Sequence, residues 1–302
     1  MAWLLDSPDL LDAAAPQWHG RIASLSDFMG PDVERWLVQL DRDPSALHEL
    51  ISTHAYNRLG RYSELLIAFF LRHLGILHAH GLQVRAGKNE TLGEFDFLLW
   101  DARAGTVNTP GLVHWEFATK FYLLEPDDGG SRLDSLVGPN LADTLGAKMR
   151  KILERQLVLS RHPAAQALLP QAVVSAQALI KGWLFYPVAE NPPRVVPGVA
   201  PDHCRGFWSP LSELGAKLDA IGHERFIVLP RLHWLAPARA SSSACLDLAA
   251  LSMALHEHFL RDTQPVMIAL MEPDGEHAVE VERGFIVPDD WAERASQFVR
   301  IN

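Results

Sequence analysis

Cysteine is almost absent from this 302-residue sequence: Cys204 and Cys245 are the only two, they stand far apart, and they match no zinc-binding spacing. That count argues against a disulfide framework and a structural zinc site, and it suits a reducing compartment. Long apolar runs are missing as well. No window approaches the roughly 18 uncharged apolar residues of a membrane span. The start, Met-Ala-Trp-Leu-Leu-Asp, lacks the basic residues and long apolar stretch of a signal peptide, and Asp6 interrupts it early. The expectation is a soluble cytoplasmic chain with no membrane partner, and nothing in the sequence sets its oligomeric state. Positive charge is also scarce, with 27 Lys and Arg against 37 Asp and Glu and a net charge of -10. Phosphate affinity comes from Lys and Arg displacing counterions, so any nucleic-acid binding has to be local. Low-complexity tracts and internal repeats are lacking, and 48% hydrophobic with 21% charged residues describes an ordinary packed chain.

What is present is patterned. Trp18, Ile22, Leu25, Phe28, Trp36, Leu37 and Leu40 recur at three- and four-residue spacings, which predicts short helices in the first fifty residues. Leu65, Leu66, Phe69, Phe70 and Leu74 form a clearer stripe, predicting a helix over 59–74 that carries Glu64 in its first turns and stops at Gly75. Three strand-like runs follow at 82–86, 91–100 and 112–124, divided by turns that include Asn108-Thr109-Pro110-Gly111, and they predict a meander. Residues 140–161 read as a helix between Pro139 and Pro163, and 177–186 as a strand ending at Pro187. After a Pro-rich loop or linker over 191–201, the pattern predicts helix at 211–218, strand at 225–235, helix at 246–260, and strands at 266–271 and 279–287. The class is α/β.

Several charges lie in apolar elements, where a charge is costly. In Gly93-Glu94-Phe95-Asp96-Phe97, the two acids share one strand face and the aromatics the other. In the next strand, period two places His114, Glu116, Ala118, Lys120 and Tyr122 on a common face. Two neighbouring strands can therefore aim Asp96, Glu116 and Lys120 at one point. Adjacent carboxylates repel, a divalent ion relieves the repulsion, and Asp and Glu oxygens suit Mg²⁺ or Mn²⁺. An ion of that kind beside a lysine is suited to hydrolysing a phosphodiester.

These residues resemble the PD-(D/E)XK, or restriction-endonuclease-like, nuclease superfamily. The resemblance implies an αβββαβ core with a mixed central sheet flanked by helices, here with a helical N-terminal extension over 1–55, the core over 56–190, and an α/β C-terminal extension over 191–302. It implies metal ligation by Glu64, Asp96 and Glu116, assistance from Lys120, and support from Gln156, since Arg155-Gln156-Leu157 is similar to the glutamine-bearing motif of related nucleases. The implied activity is metal-dependent cleavage of DNA or RNA. The lysine stands four residues after Glu116, about 13 Å along a regular strand, and Ala118 occupies the position two after it, so a bulge or a long reach is needed. More narrowly, Gly60-Arg61-Tyr62-Ser63-Glu64, His114-Trp115-Glu116, Lys120-Phe121-Tyr122 and Val137-Gly138-Pro139-Asn140 are similar to an uncharacterised bacterial family, domain of unknown function 1853.

Plainer readings stand beside these. Glu64 fits a solvated helix carboxylate, Asp96 a partner of Arg85, and Glu116 with Lys120 a structural ion pair. Lys148, Arg150, Lys151 and Arg155 fit either a phosphate-facing surface or a solvated helix face, and His73, His78 and His80 fit scattered polar positions better than a zinc cluster. Trp183, Phe185, Tyr186, Phe207, Trp208 and Trp234 suit a core better than a base-stacking platform. The alternatives to a nuclease are an inactive nuclease-fold protein that binds nucleic acid or protein, and a hydrolase of small phosphorylated molecules.

Overall fold

Residues Leu59, Leu66, Ile67, Phe70 and Leu71 recur at helical spacing and are buried, and they build the longest helix of the first half, α4 (Leu59–His73). It ends where Gly75 takes a left-handed conformation (φ 69°). The Ile76 amide donates to the Leu71 carbonyl and the Gly75 amide to the Arg72 carbonyl, the paired bonds by which a glycine closes a helix. The structure is a computed structural model that describes residues 1–52, 58–87, 90–106, 109–126, 132–188, 194–215, 218 and 222–301. Tyr56, Asn108, the start of the 191–201 stretch and positions 216–217 of the expected 211–218 helix lie outside the described residues.

The chain forms two compact units. The first comprises Met1–Lys120, Lys148–Lys181 and Ala200–Asp202. Its helices before α4 are α1 (Ala2–Asp6), α2 (Pro31–Arg42) and α3 (Ser45–Ser52), and its strands are β1 (Leu77–Gly87), β2 (Glu90–Thr106) and the first part of β3 (Thr109–Leu124). These three pair as the expected antiparallel meander, β1 with β2 and β2 with β3. Helix α5 (Leu145–Lys151), the short α6 (Pro163–Gln166) and strand β5 (Val173–Pro187) follow, with β5 next to β3 in the sheet, so the expected helix, three strands, helix, strand order is present.

Two expectations need correcting here. Residues 7–30 hold only two short 3-10 turns, Pro16–Trp18 and Ser26–Phe28, and no α-helix: the Leu10 amide bonds the Ile180 carbonyl, and Ile22 bridges Ala178, so β5 captures this segment. The helix expected over 140–161 begins only at Leu145, because Leu141 adopts a positive φ of 55° that a helix does not admit. Thr144 accepts from the Ala147 amide and caps the start of α5. At its other end the helix widens into one π-helical turn, Ile152–Gln156, closed by the Leu157 amide on the Ile152 carbonyl. Arg21 donates to the Leu153 carbonyl, a group that the widened turn leaves available.

The second unit comprises Phe121–Ala147, Gly182–Val199 and His203–Asn302. It takes the ends of β3 and β5, with the short β4 (Leu136–Val137) on β3 and β6 (Cys204–Pro210) parallel to β5. It also has β7 (Phe226–Val228), β8 (Arg239–Ser241), α7 (Leu248–Phe259), β9 (Val266–Asp274), β10 (His277–Val287) and α8 (Trp291–Ile301). Strand β10 runs parallel to β6 and antiparallel to β9, and β7 closes on β9, so the architecture is mixed α/β. Four elements, β4, β6, β8 and α8, have no counterpart in the sequence expectations. The strand expected over 225–235 stops at Val228, since Pro230 cannot donate to a ladder. Phe207, Phe226, Leu251, Leu255, Ile268, Leu270 and Ile286 form its main apolar cluster. Trp183, Phe185, Tyr186 and Trp208 are buried too, so the core reading of these aromatics holds and the stacking platform does not.

At the centre of this unit Arg283 is fully buried. Its guanidinium pairs with Glu280, donates to the Trp234 and Ala236 carbonyls, and lies over the Trp183 ring at 4.1 Å. Removing one partner of such a pair strands the other charge. Arg283→Ala is expected to cost roughly 3–5 kcal/mol in urea unfolding, and Glu280→Gln with Arg283→Met to recover part of it. A loss under about 1 kcal/mol, the range of a surface pair, would show that the interaction is ornamental.

Candidate functional site

The acidic residues of β2 and β3 meet where the two strands stop pairing. The β2–β3 register runs from Trp100↔Leu112 to Phe97↔Trp115 and ends there. Two residues beyond Trp115, the Phe117 amide donates instead to Asp96 Oδ2 at 2.9 Å. A carboxylate thus satisfies a backbone donor that the ladder would otherwise use, and the strands part at Asp96 and Glu116. On the other side of β2, Gly81 of β1 has φ 65°, and Gly93 passes so close to Leu159 that a Cβ would lie 3.1 Å from that side chain. The glycine of the Gly93-Glu94-Phe95-Asp96 motif therefore has a packing reason here. Phe95, Leu98, Val84, Leu112 and Leu159 form one apolar cluster beneath the site.

Glu64 on α4, Glu94 and Asp96 bring ligand atoms within 4.8 Å of one another, and all three are half-buried. The structure thus brings Glu64 and Asp96 together, and it adds Glu94, which the strand alternation had put on the face of Asp96. Arg61 bonds Glu64 at 2.6 Å and lies 3.8 Å from Glu94, and His80 Nε2 lies 2.7 Å from Glu64. Gln83 donates to Glu94 at 3.3 Å. The histidines do not assemble into a cluster: His73 stacks on Trp36 and His78 lies edge-on to Trp100. Arg85 donates to Gln83.

Glu116 is buried, and both of its oxygens are occupied. His114 Nε2 lies 2.9 Å from Oε1, and Gln156 Nε2 donates to Oε2. The amide oxygen of Gln156, Oε1, accepts from Lys148 Nζ at 3.4 Å. A carboxylate only accepts and an ammonium only donates, so this chain fixes which way the Gln156 amide faces. Lys148 and Gln156 are half-buried, whereas Arg150, Lys151 and Arg155 are exposed. Sequence spacing grouped Lys148 with those three; the widened turn at 152–156 shifts Arg155 away from its face, while Arg150 and Lys151 lie on the same α5 segment. Lys120 is half-buried, and its charge repels that of Lys148.

Burial raises the Asp96 carboxyl to about 7, the Glu116 charge adds to the effect, and the Phe117 amide opposes it. Burial likewise raises Glu116 to about 7, opposed by Lys148 and by a hydrogen bond from Asp96. Burial lowers His114 to about 4, so its imidazole is neutral, and its Nδ1 has no hydrogen-bond partner among the described residues. Burial also lowers Lys148, and Lys120 and Lys151 push it the same way. The set is short of positive charge at its centre. Its all-oxygen donors could hold a hard divalent cation.

The family described as a domain of unknown function, DUF1853, matches residues 1–287. The chain belongs to this family. No curated protein and no solved structure matches it. Among the described residues of this DUF1853 chain, no helix is long and apolar enough to cross a membrane.

The pKa shifts set a pH dependence. Asp96 and Glu116 hold protons more tightly folded than at their ordinary 3.8 and 4.5, so they favour folding at low pH and lose that contribution as pH rises through about 7. His114 acts oppositely, contributing fully above its ordinary 6.5 and losing that as pH falls to about 4. Between about 4.5 and 6.5 these groups give the folded state two extra carboxyl protons and one fewer imidazole proton. The net of one proton lowers stability by at most about 1.4 kcal/mol per pH unit. Glu116→Gln is tolerated because His114 can switch tautomer and accept from the new amide. Relative to wild type, this variant should gain stability between pH 5 and 8 in urea unfolding without divalent ions. Parallel pH curves for the two proteins would refute the buried, proton-binding carboxyl.

Proposed function

We propose that this protein is a metal-dependent nuclease that hydrolyses phosphodiester bonds in DNA or RNA, built on a restriction-endonuclease-like core. The observation that carries this reading is the convergence of Glu64, Glu94 and Asp96 within 4.8 Å beside a second buried carboxyl, Glu116. Like charges held this close in a desolvated place raise the free energy unless a cation joins them. The donor set is carboxylate oxygen only, which suits Mg²⁺ or Mn²⁺ and not zinc. Glu64, Glu94 and Asp96 would hold the ion. When bound, such an ion supplies Lewis acidity toward a phosphodiester and charge for its transition state.

The chain's own residues do the rest. Glu116, tied through both oxygens, acts from behind Asp96: it raises the electron density of the donor set and keeps Asp96 oriented. Gln156 holds Glu116 in that attitude, and the lysines supply positive charge toward a phosphate. The element order of the first unit supports the same reading. A second reading, an inactive binding module, is favoured by one feature: Glu64 already has two protein partners, the Arg61 guanidinium at 2.6 Å and His80 Nε2 at 2.7 Å.

The test is Mn²⁺ calorimetry together with cleavage of labelled single- and double-stranded DNA and RNA at low salt. Wild type should bind Mn²⁺ and cut at least one substrate. Asp96→Asn should abolish both, and Glu116→Gln should lower cleavage by about 10–100-fold, as loss of a supporting partner does. Nucleic-acid binding without Mn²⁺ binding or cleavage would establish the second reading and remove the first.

A further inference from the structure

The sequence contains six lysines, at positions 88, 120, 148, 151, 181 and 217. Lys148 is half-buried, and the charges of Lys120 and Lys151 both oppose its own. An ammonium opposed by two others favours a negative group beside it. Glu116 and Asp96 supply part of that charge to Lys148 from the interior. The seat is built for this side chain. Eight residues turn an α-helix by about 800°, which would leave Lys148 and Gln156 about 80° apart around the axis. The extra residue of the π-helical turn at Ile152–Gln156 brings the two back toward one face, and there they bond at 3.4 Å. The strand offers Ala118 two residues after Glu116 and a lysine only at Lys120.

We infer that Lys148, carried by helix α5, is the cation that contacts the scissile phosphate, and that Gln156 is its positioning residue. This inference rests on the phosphodiesterase reading above. The ammonium bonds an anchored amide and is attracted by the buried Glu116 and Asp96, its three protons allow it to serve Gln156 and a phosphate oxygen together, and Lys120 and Lys151 raise the local potential toward an anion.

Lys148→Met, Lys148→Arg and Lys120→Met, each checked for an unchanged unfolding temperature, separate the possibilities. The readouts are Mn²⁺ calorimetry, the salt dependence of binding to a labelled single-stranded DNA in EDTA, and cleavage with Mn²⁺. Lys148→Met should bind Mn²⁺ at least as tightly as wild type, because a cation beside the carboxylates is gone. Its slope of log affinity against log salt should fall by about 0.7, the loss of one phosphate contact, and its cleavage by about 100–1,000-fold. Lys148→Arg should keep the slope and recover little cleavage, since a guanidinium does not reproduce a point charge in that seat. A Lys148→Met variant with wild-type slope and wild-type cleavage overturns the inference; if Lys120→Met is then the inactive protein, the nuclease reading stands without it. Wild type that neither binds Mn²⁺ nor cleaves removes both.

Discussion

The chemistry of the first unit depends on one constraint, the burial of Asp96 beside Glu116 at the point where β2 and β3 separate. Two carboxyls in that position cannot both be ionised without help, and the surrounding residues provide it. The Phe117 amide and the Lys148 charge favour the ionised forms, while burial drives both groups up to about 7. The strands part there because Asp96 takes the Phe117 amide that the sheet would have used. The same side chain therefore ends the ladder and opens the space beside it.

The support for this pair is built from behind. His114 is neutral, buried and bonded to Glu116; Gln156 bonds its other oxygen and links it to Lys148. Each member has its hydrogen-bonding role fixed by what its neighbour can donate or accept, which makes the network rigid. The π-helical turn is what phases Lys148 with Gln156, and such turns are commonly kept where function requires them. In the second unit a comparable buried group, Arg283, is wholly satisfied by Glu280 and two carbonyls. It has a full ionic partner, whereas Asp96 and Glu116 have only partial help and stay raised to about 7.

Much of the fold was legible in the sequence, for a physical reason. Helix α4 and the strands up to β5 carry clean apolar periodicities bounded by Gly75, Pro163 and Pro187, and these elements came out in the expected order. The misses have causes that a one-dimensional pattern does not hold. Leu141 in a left-handed conformation delays α5, capture by β5 straightens the N-terminal segment, and Pro230 shortens β7. At the site, period two put Glu94 and Asp96 on one face, but which carboxylates meet depends on α4 packing, and that brings Glu94 rather than Glu116 into the group with Glu64. Lys148 is by spacing alone one of four basic residues that fit a phosphate-facing surface or a solvated helix face equally, because the widened turn that shifts Arg155 away from it leaves no signature in the sequence. Its one available sign was apolar company: Leu145, Met149 and Ile152 are all buried beside it.

The most direct test of the central claim is a crystal structure of the wild-type protein grown with Mn²⁺, with anomalous scattering recorded to locate the ion. An anomalous peak coordinated by Glu64, Glu94 and Asp96, with Glu116 still bonded to His114 and Gln156 behind it, is the result expected. A site in which Arg61 and His80 keep their bonds to Glu64 and no ion appears would contradict it.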